Sequence, residues 1–209
     1  MPGYEDRLSS IDQREVGSDT RSFHTALRQV LRQDPDVILV GEMRDKESVR
    51  TALSAAETGH LVLATVHTVD APETINRLLD FFADGEQQQV RALIAGTLKG
   101  IVSQRLVTTA DGSGRVAIAE ILAMTNRVQE MIIDPRATAQ LTEAVGAGEY
   151  YGMQTFDQGF YAAVKRGDVS MQEALRHATA PHDLKLLLNS DGALRTSMAD
   201  VPAMPGRRG

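Results

Sequence analysis

The 209-residue sequence has no cysteine, no long apolar run and few aromatic residues. The lack of cysteine excludes disulfide bonds and zinc sites built from thiolates. No apolar run approaches the roughly 18 residues that a membrane-spanning helix needs, so we expect no direct insertion into a membrane. Aromatic residues make up 4% of the chain and the net charge is −6, which disfavours a nucleic-acid binder. Met1 is followed by a polar segment instead of an apolar secretion signal, and we expect a cytoplasmic protein.

Two short apolar runs separated by a helical pattern predict a parallel sheet. Val37–Val40 and Leu61–Val66 are too short for helices, and their uniform apolarity is typical of strands covered on both faces. Between them, Asp45 can cap a helix and Gly59 can end it in a left-handed conformation. Strand, helix and strand in this order indicate crossover connections, so we expect an α/β fold with a parallel sheet.

The rest of the chain is predicted to form helices and one β-hairpin, and its character changes near Met124. A first helix is expected between caps in residues 18–20 and the break at Asp34-Pro35. Further helices are predicted over residues 71–82, 86–102, 128–133, 137–145, 155–164 and 171–178, and the hairpin over 105–108 and 115–122. Residues 125–190 would form a small all-helical C-terminal region, and residues 191–209 a disordered tail.

Polar residues follow both apolar runs, at the point where each predicted strand ends. Gly41-Glu42 follows the first run and His67-Thr68 follows the second. Ligands of parallel sheets bind beyond the carboxyl ends of the strands, so we expect both tips on the same rim. A carboxylate there can orient a water or hold Mg²⁺ through a water, and an imidazole can donate to a phosphate oxygen. A glutamate past a strand is also common as a surface residue, and a single histidine is often structural, so the pattern alone leaves both interpretations open.

The segment Leu31–Asp45, LRQDPDVILVGEMRD, resembles the signature of the bacterial type II/IV secretion ATPase superfamily. The segment Ala55–Thr68, AAETGHLVLATVHT, is similar to the His box of the same motors. Asp12–Val16 adds a shorter likeness, and Gly152–Phe160, GMQTFDQGF, is similar to a C-terminal segment of the pilus retraction motors. Two motifs of this length in the correct order are far more specific than a single short glycine pattern.

This resemblance implies a partial RecA-like P-loop ATPase core over residues 1–124, with ATP and Mg²⁺ as cofactors. The segment would be a Walker B motif with Gly41 in place of the usual aspartate, in which Glu42 would polarise the attacking water and help to position Mg²⁺ through a water. His67 would sense the γ-phosphate, and His60 and Thr68 would lie in the same nucleotide site. Such motors are homo-hexamers that act on a pilus or secretion platform protein, so the resemblance implies a location peripheral to the inner membrane.

Arg14, Arg28 and Arg32 are candidate phosphate ligands. Arg21, Arg28 and Arg32 fall at i, i+7 and i+11, so they would share one side of the first helix. The common interpretation of such a run is a solvated basic face, and the alternative is an arginine finger for a nucleotide on a neighbouring subunit. We favour the first for Arg21, whereas both remain open for the other three.

A phosphate cradle of the form G-x-x-x-x-G-K-[ST] is absent from the sequence. Its glycine-rich amides, lysine and hydroxyl would have to come from another stretch of chain. The sequence therefore predicts the C-terminal half of a motor that hydrolyses ATP negligibly by itself and has an unpaired strand edge that invites aggregation. The alternative is a truncated, catalytically dead subunit that acts as an assembly or regulatory module. A DNA-handling protein of the same core fold is a third hypothesis, which the net charge disfavours.

The hairpin turn bears on which motor the chain resembles. Many assembly and secretion motors insert a four-cysteine zinc loop after the domain core, whereas here a short turn joins Thr108 to Arg115. The Ala-Ile-Arg-Asn-Leu-Ile motif of the retraction motors is matched only loosely by Asn126-Arg127 and Met131-Ile132. The resemblance thus favours pilus retraction and twitching motility, with that motif as the departure.

Overall fold

The computed structural model describes residues 9–199, except the side chains of residues 23–24 and 191–199. Its elements, in chain order, are α1 Phe23–Val30, β1 Val37–Val40, α2 Lys46–Glu57, β2 Leu61–Ala64, α3 Ala71–Asp80, α4 Asp84–Thr97, β3 Gly100–Thr108, β4 Arg115–Ala123, α5 Asn126–Ile133, α6 Leu141–Gly146, α7 Phe156–Arg166, α8 Met171–His177 and α9 Pro181–Ala199. Within this part of the chain, no helix is long and apolar enough to cross a membrane.

The elements form two compact units that interleave along the chain. The first unit contains the residues up to Thr68 together with Pro72–Lys99 and Met124–Thr138. The second contains Val69–Ala71, Gly100–Ala123 and the residues from Ala139 onward. The hairpin therefore belongs with the C-terminal helices, and the units do not divide at the composition change near residue 124. The limit of an ATPase core at that residue stays a prediction.

The first unit contains the predicted parallel sheet, which confirms the α/β class. β1 pairs with β2 in parallel, with Val37 opposite Leu61 and Val40 opposite Ala64. β1 has the predicted bounds, whereas β2 ends two residues before the end of its apolar run. Asp45 begins α2 as expected, because its side chain accepts a hydrogen bond from Ser48 N at 2.8 Å.

Among the residues that the structure describes, one face of this sheet is covered and the other is open. Ile38 and Val40 are buried and pack in one cluster with Leu27 of α1 and Ala55 of α2. On the other face, four side chains remain 47–63% exposed: Val37, Leu39, Leu61 and Leu63. The prediction that both faces are covered is wrong for the described residues, because α1 and α2 contribute to the same buried cluster. An apolar run shows that a strand is suited to burial but not which elements cover it.

The helix α1 is shorter than predicted. Ser22 provides its N-cap and accepts a hydrogen bond from Thr25 N at 3.2 Å, so the helix starts later than the caps proposed upstream. Beyond its end, Asp34 adopts a left-handed conformation with φ of 54°. Arg21 and Arg32 consequently lie outside the helix and only Arg28 is on it. The expectation that the three arginines share one helical face is wrong.

The predicted helix over residues 86–102 divides into α4 and the start of β3. Leu98 ends α4 with φ −58° and ψ 136°, which is an extended conformation. Gly100 starts β3, and a Cβ added there would lie 2.8 Å from Leu122 O. Ile101 is buried as expected, but from a strand in which it pairs with Leu122. Cross-strand pairing thus outweighed a local apolar spacing that also fits a helix.

The second unit contains the hairpin and the C-terminal helices. β3 and β4 pair antiparallel from Gly100 opposite Ala123 to Thr108 opposite Arg115, which confirms the predicted hairpin and lengthens it. Its inner face packs on the C-terminal helices in a core that contains Val107, Ile118, Phe156, Phe160, Val169, Ala174 and Leu184. The helices α5, α7 and α8 lie within two residues of their predicted bounds, and α6 is preceded by a turn of 3₁₀ helix at Thr138–Gln140.

The last helix was missed at the sequence level. α9 is described as far as Ala199, residues 200–209 lie outside the described part, and the disorder expected for residues 191–209 stays a prediction. Asp157 of α7 accepts hydrogen bonds from Thr179 N and Ala180 N, both at 2.7 Å, just before Pro181 begins the helix. A carboxylate distant in sequence therefore helps to start α9, which local spacing could not reveal.

Candidate nucleotide site

The segments beyond β1 and β2 stay paired after the strands end. Met43 N donates a hydrogen bond to Thr65 O at 3.1 Å. The Thr65 hydroxyl donates back to Gly41 O. These two contacts hold Gly41–Met43 against the residues that follow β2. Glu42 and His67 are thereby kept on one rim, as the parallel order predicts.

Glu42 lies at the centre of this rim and is held through both of its carboxylate oxygens. His67 Nε2 lies 3.0 Å from Glu42 Oε1. Arg44 contacts the other oxygen, Oε2, through Nε at 2.6 Å and Nη2 at 2.5 Å. The Glu42 side chain is 22% exposed, whereas those of His67 and Arg44 are 86% and 77% exposed. The Glu42 carboxylate is thus partly shielded, whereas its two partners, His67 and Arg44, are largely exposed to solvent.

The electrostatics of this cluster favour an ionised Glu42. The hydrogen bond from Arg44 lowers the pKa of the Glu42 carboxyl, burial opposes this effect, and the charges of Arg44 and His67 lower the pKa further. In turn, the hydrogen bond to Glu42 raises the pKa of the Arg44 guanidinium. An ionised carboxylate can accept a hydrogen bond from a water or take part in binding a cation, so the charge state fits both predicted roles.

Thr68 and His60 lie in different surroundings. The Thr68 hydroxyl is 2.7 Å from the Thr74 hydroxyl of α3, which fixes the start of the loop after His67. His60 precedes β2 and so lies at the opposite end of the strand from His67. Its Nδ1 is 3.0 Å from Ala55 O, and the contact closes the end of α2. Within the described unit, His60 therefore has a structural position, and its predicted phosphate contact receives no support from the geometry.

Among the contacts of the described residues, none joins the three candidate arginines Arg14, Arg28 and Arg32 to Glu42. Arg14 Nη2 donates to Gln33 Oε1 at 2.8 Å, so it ties the N-terminal segment to the chain just after α1. Arg28 and Arg32 are exposed. Their roles toward a nucleotide stay predictions.

Arg44 and Thr65 are site residues that sequence reasoning did not assign. Arg44 belongs to the matched signature, but its pairing with Glu42 was not anticipated. The signal was available, since side chains two positions apart in an extended segment lie on the same side. Thr65 follows β2 directly, and only the parallel register places it opposite Gly41.

The donor set suits Mg²⁺ only as part of a larger site. Among residues 9–199, no group of three His, Cys, Asp or Glu side chains could hold a metal ion. Mg²⁺ is commonly bound through one or two carboxylates together with phosphate oxygens and waters. Glu42 can supply that single carboxylate if Arg44 or His67 moves aside, and both are exposed enough to do so. The residues present therefore fit a cation that is held mainly by phosphate and water.

A parallel sheet with a carboxylate and an imidazole on its carboxyl rim defines an α/β protein whose rim carries side chains suited to phosphate ligands. Comparison with protein families narrows this class. Residues 4–113 match the model of the type II/IV secretion system protein family, and the chain belongs to that family.

Similar proteins include motors of type IV pili. The chain is 44% identical over 175 residues to a twitching motility protein of Neisseria gonorrhoeae, covering 84% of this chain and 46% of that protein. It is 42% identical over 180 residues to the type IV pilus retraction ATPase PilT of Pseudomonas aeruginosa, covering 86% and 52%. A crystal structure of the pilus retraction motor PilT with bound ADP superposes with a TM-score of 0.76 at 42% identity, covering 87% of this chain and 51% of that one. The chain therefore spans about half the length of the relatives it matches.

Proposed function

We propose that this chain is the C-terminal part of a hexameric, ATP-hydrolysing motor of the type IV pilus and type II secretion family, acting in pilus retraction. The observation that carries the proposal is the 3.0 Å contact between Glu42 and His67 on the rim of the parallel sheet, inside the matched family segment. The likeness to PilT, which was solved with ADP, supports a nucleotide as the ligand of this rim.

The residues of the chain would act by positioning and charge. When bound, a nucleotide would supply the phosphoryl group, and Mg²⁺ would neutralise its charge. Glu42, ionised through its contact with Arg44, would accept a hydrogen bond from the attacking water. For this to happen, His67 must leave Glu42 Oε1, and its exposed imidazole is then free to donate to a phosphate oxygen. Thr68 adds a hydroxyl at the same end of β2.

The lysine and glycine-rich amides of a phosphate cradle are absent from the 209 residues. These groups would have to come from polypeptide outside this sequence. We therefore expect the isolated chain to hydrolyse ATP negligibly. Its partners would be other copies in a homo-hexamer and a platform protein at the inner membrane, with the motor on the cytoplasmic side.

A chimera tests the proposal. The part of the Pseudomonas PilT that the match leaves uncovered is joined ahead of this chain, and phosphate release is measured for the chain and for the chimera. We expect turnover only in the chimera. Glu42→Gln should lower its kcat about 100-fold or more, since it removes the group that orients the water. The matched control is Glu57→Gln, an exposed carboxylate at the end of α2, which should leave kcat unchanged.

Full activity of Glu42→Gln in a working chimera would contradict the catalytic assignment. Turnover by the isolated chain at the level of the chimera would contradict the need for an external cradle.

The second candidate is a non-catalytic subunit that serves assembly or regulation. Two observations favour it: the phosphate cradle is missing from the sequence, and both carboxylate oxygens of Glu42 are already in contact with Arg44 and His67. This hypothesis predicts that calorimetry finds no ATP binding to the chain, while the chain still co-purifies with an intact motor of the family. Nucleotide binding by the isolated chain would exclude it.

A further inference from the structure

Two tyrosines in the second unit are unusually open to solvent. Tyr150 is 91% exposed and Tyr151 is 60% exposed. Their ring centroids are 5.2 Å apart and the ring planes meet at 87°. Large aromatic surfaces that remain in water are enriched where proteins bind partners, and tyrosine is among the residues that dominate binding energies there. Tyr150 and Tyr151, called the tyrosine pair below, are therefore a candidate contact surface.

Backbone contacts and two glycines define the turn that carries the tyrosine pair. Glu149–Tyr151 forms one turn of 3₁₀ helix, in which Tyr151 N donates to Gly148 O at 2.9 Å. Gly152 ends the turn with φ of 75°, a left-handed conformation that favours glycine. A Cβ added at Gly148 would lie 2.5 Å from Met153 Sδ, so no other residue fits there without a shift. These contacts define the backbone conformation from which the two rings project.

The chain after the turn is fixed to the hairpin. Met153 is buried, and Gln154 exchanges two backbone hydrogen bonds with Ile121 of β4, at 2.8 and 3.0 Å. The Gln154 side chain also donates from Nε2 to Ala119 O at 2.8 Å. A presentation that is ordered in advance reduces the entropy lost on binding, which distinguishes this turn from an exposed residue on a loose loop.

The chemistry of the turn favours a cationic partner. Ring faces attract Lys and Arg cations, and two rings at right angles present such faces from two directions. Glu149, in the same turn, adds an exposed carboxylate, and Glu143 of α6 is a second exposed acid upstream. The second unit already contains this type of contact, because the Arg105 guanidinium lies 3.8 Å from the centroid of the Phe156 ring.

We propose that the tyrosine pair, together with Glu149, binds a Lys- or Arg-bearing segment of another protein. The identity of that protein rests on the proposed function. A motor that acts on a platform in the inner membrane meets its cytoplasmic segments, and such segments carry an excess of Lys and Arg. The tyrosine pair would then be one contact through which the motor binds its platform protein.

Peptide titrations of the full chain test this inference. Two 12-residue probes are compared by NMR of the tyrosine rings, one with four arginines among glycine and serine and one with four glutamates in the same places. We expect only the arginine peptide to bind. Tyr150→Ala and Tyr151→Ala should each raise its Kd at least 10-fold, and Glu149→Gln should raise it 2- to 5-fold. Tyr150→Phe should retain binding, because the ring face and not the hydroxyl makes the contact.

The matched control is Leu187→Ala, which removes another exposed apolar side chain of the same unit. This variant should bind the arginine peptide like the unchanged chain. The proposal is overturned if the double variant of Tyr150 and Tyr151 binds equally well, or if the glutamate peptide binds with similar Kd. It is also overturned if sedimentation shows that the tyrosines mediate self-association of the chain. None of these measurements uses ATP, so they are independent of the chimera experiment.

Discussion

At the scale of single residues, Glu120 shows how a buried carboxylate can carry both a benefit and a penalty. It is 4% exposed on β4 and its Oε1 accepts a hydrogen bond from Ala71 N at 2.9 Å. Burial raises the pKa of Glu120, the hydrogen bond from Ala71 opposes this, Asp70 raises the pKa further and Arg105 lowers it. The folded protein therefore holds the Glu120 proton more tightly than the unfolded chain.

This difference predicts how stability changes with pH. Below the ordinary glutamate value near 4.5, both states are protonated and nothing is lost. As the pH rises through the raised folded pKa, the folded state must ionise in a buried place and stability falls. Glu120→Gln keeps an oxygen for Ala71 N but cannot ionise, so we expect it to raise the Tm by a few degrees at pH 7 and little at pH 4.

Scanning calorimetry at the two pH values measures this effect, with the exposed Glu143→Gln as the control. A lower Tm for Glu120→Gln at pH 7 would show that the attraction of Arg105 outweighs the burial of the charge.

At the scale of elements, a buried arginine joins α4 to the end of α5. Arg91 is 8% exposed, and its Nη1 donates to Ile132 O and to Thr138 Oγ1, both at 3.0 Å. Arg91→Met keeps much of the apolar stem but leaves two acceptors without their donor. We expect the free energy of unfolding in urea to fall by about 2–3 kcal/mol. The exposed Arg127→Met on α5 is the control, and equal stability of the two variants would contradict a structural role for Arg91.

Two glycines near the junction of α4 and β3 should respond in opposite directions to alanine. At Gly100 a Cβ would lie 2.8 Å from Leu122 O, so Gly100→Ala must push the hairpin strands apart and should lower stability by about 1–3 kcal/mol. At Gly96, inside α4, a Cβ meets nothing within 4 Å, so Gly96→Ala should raise stability by about 0.5–1 kcal/mol. Chemical denaturation of both variants gives the comparison, and a shared sign would contradict the explanation for where α4 ends.

At the scale of the whole molecule, the uncovered face of the parallel sheet is the most consequential feature. Val37 pairs with Leu61 and Leu39 with Leu63, so four exposed apolar side chains form a continuous patch. Such a patch is a site of association, because covering it removes apolar surface from water. The match covers 46% and 52% of the two pilus relatives, so about half of each of those proteins lies outside the matched region.

We therefore expect the isolated chain to bind the dye ANS and to self-associate. Replacing Leu39 and Leu63 with threonine keeps a strand-forming residue in each place and should reduce both signals. Sedimentation velocity and dye fluorescence measure the change, and Leu186→Gln, at an exposed leucine of α9, is the control. If the double variant behaves like the unchanged chain, another surface is responsible.

Several features were predictable from the sequence because they depend on neighbours along the chain. The apolar run of β1 and the cap at Asp45 each determine local structure, and the structure confirms them. The order of strand, helix and strand was sufficient to place Glu42 and His67 on one rim, since parallel strands must end at the same edge. The resemblance to the family was visible in the residue sequence of Leu31–Asp45, which contains β1 and the polar residues that follow it, and the family match confirms it.

Other features depended on contacts between residues distant in sequence. The start of α9 relies on Asp157, the end of α4 on pairing of Gly100 with β4, and the pairing of Thr65 with Gly41 on the parallel register. Which face of the sheet is buried was decided by the placement of α1 and α2, because an apolar strand suits burial on either side. The sequence by itself thus determined the strands, the rim and the family. Only the tertiary structure decided what covers the sheet and that the His67 imidazole contacts Glu42 Oε1, because packing and contacts between distant side chains have no period along the chain.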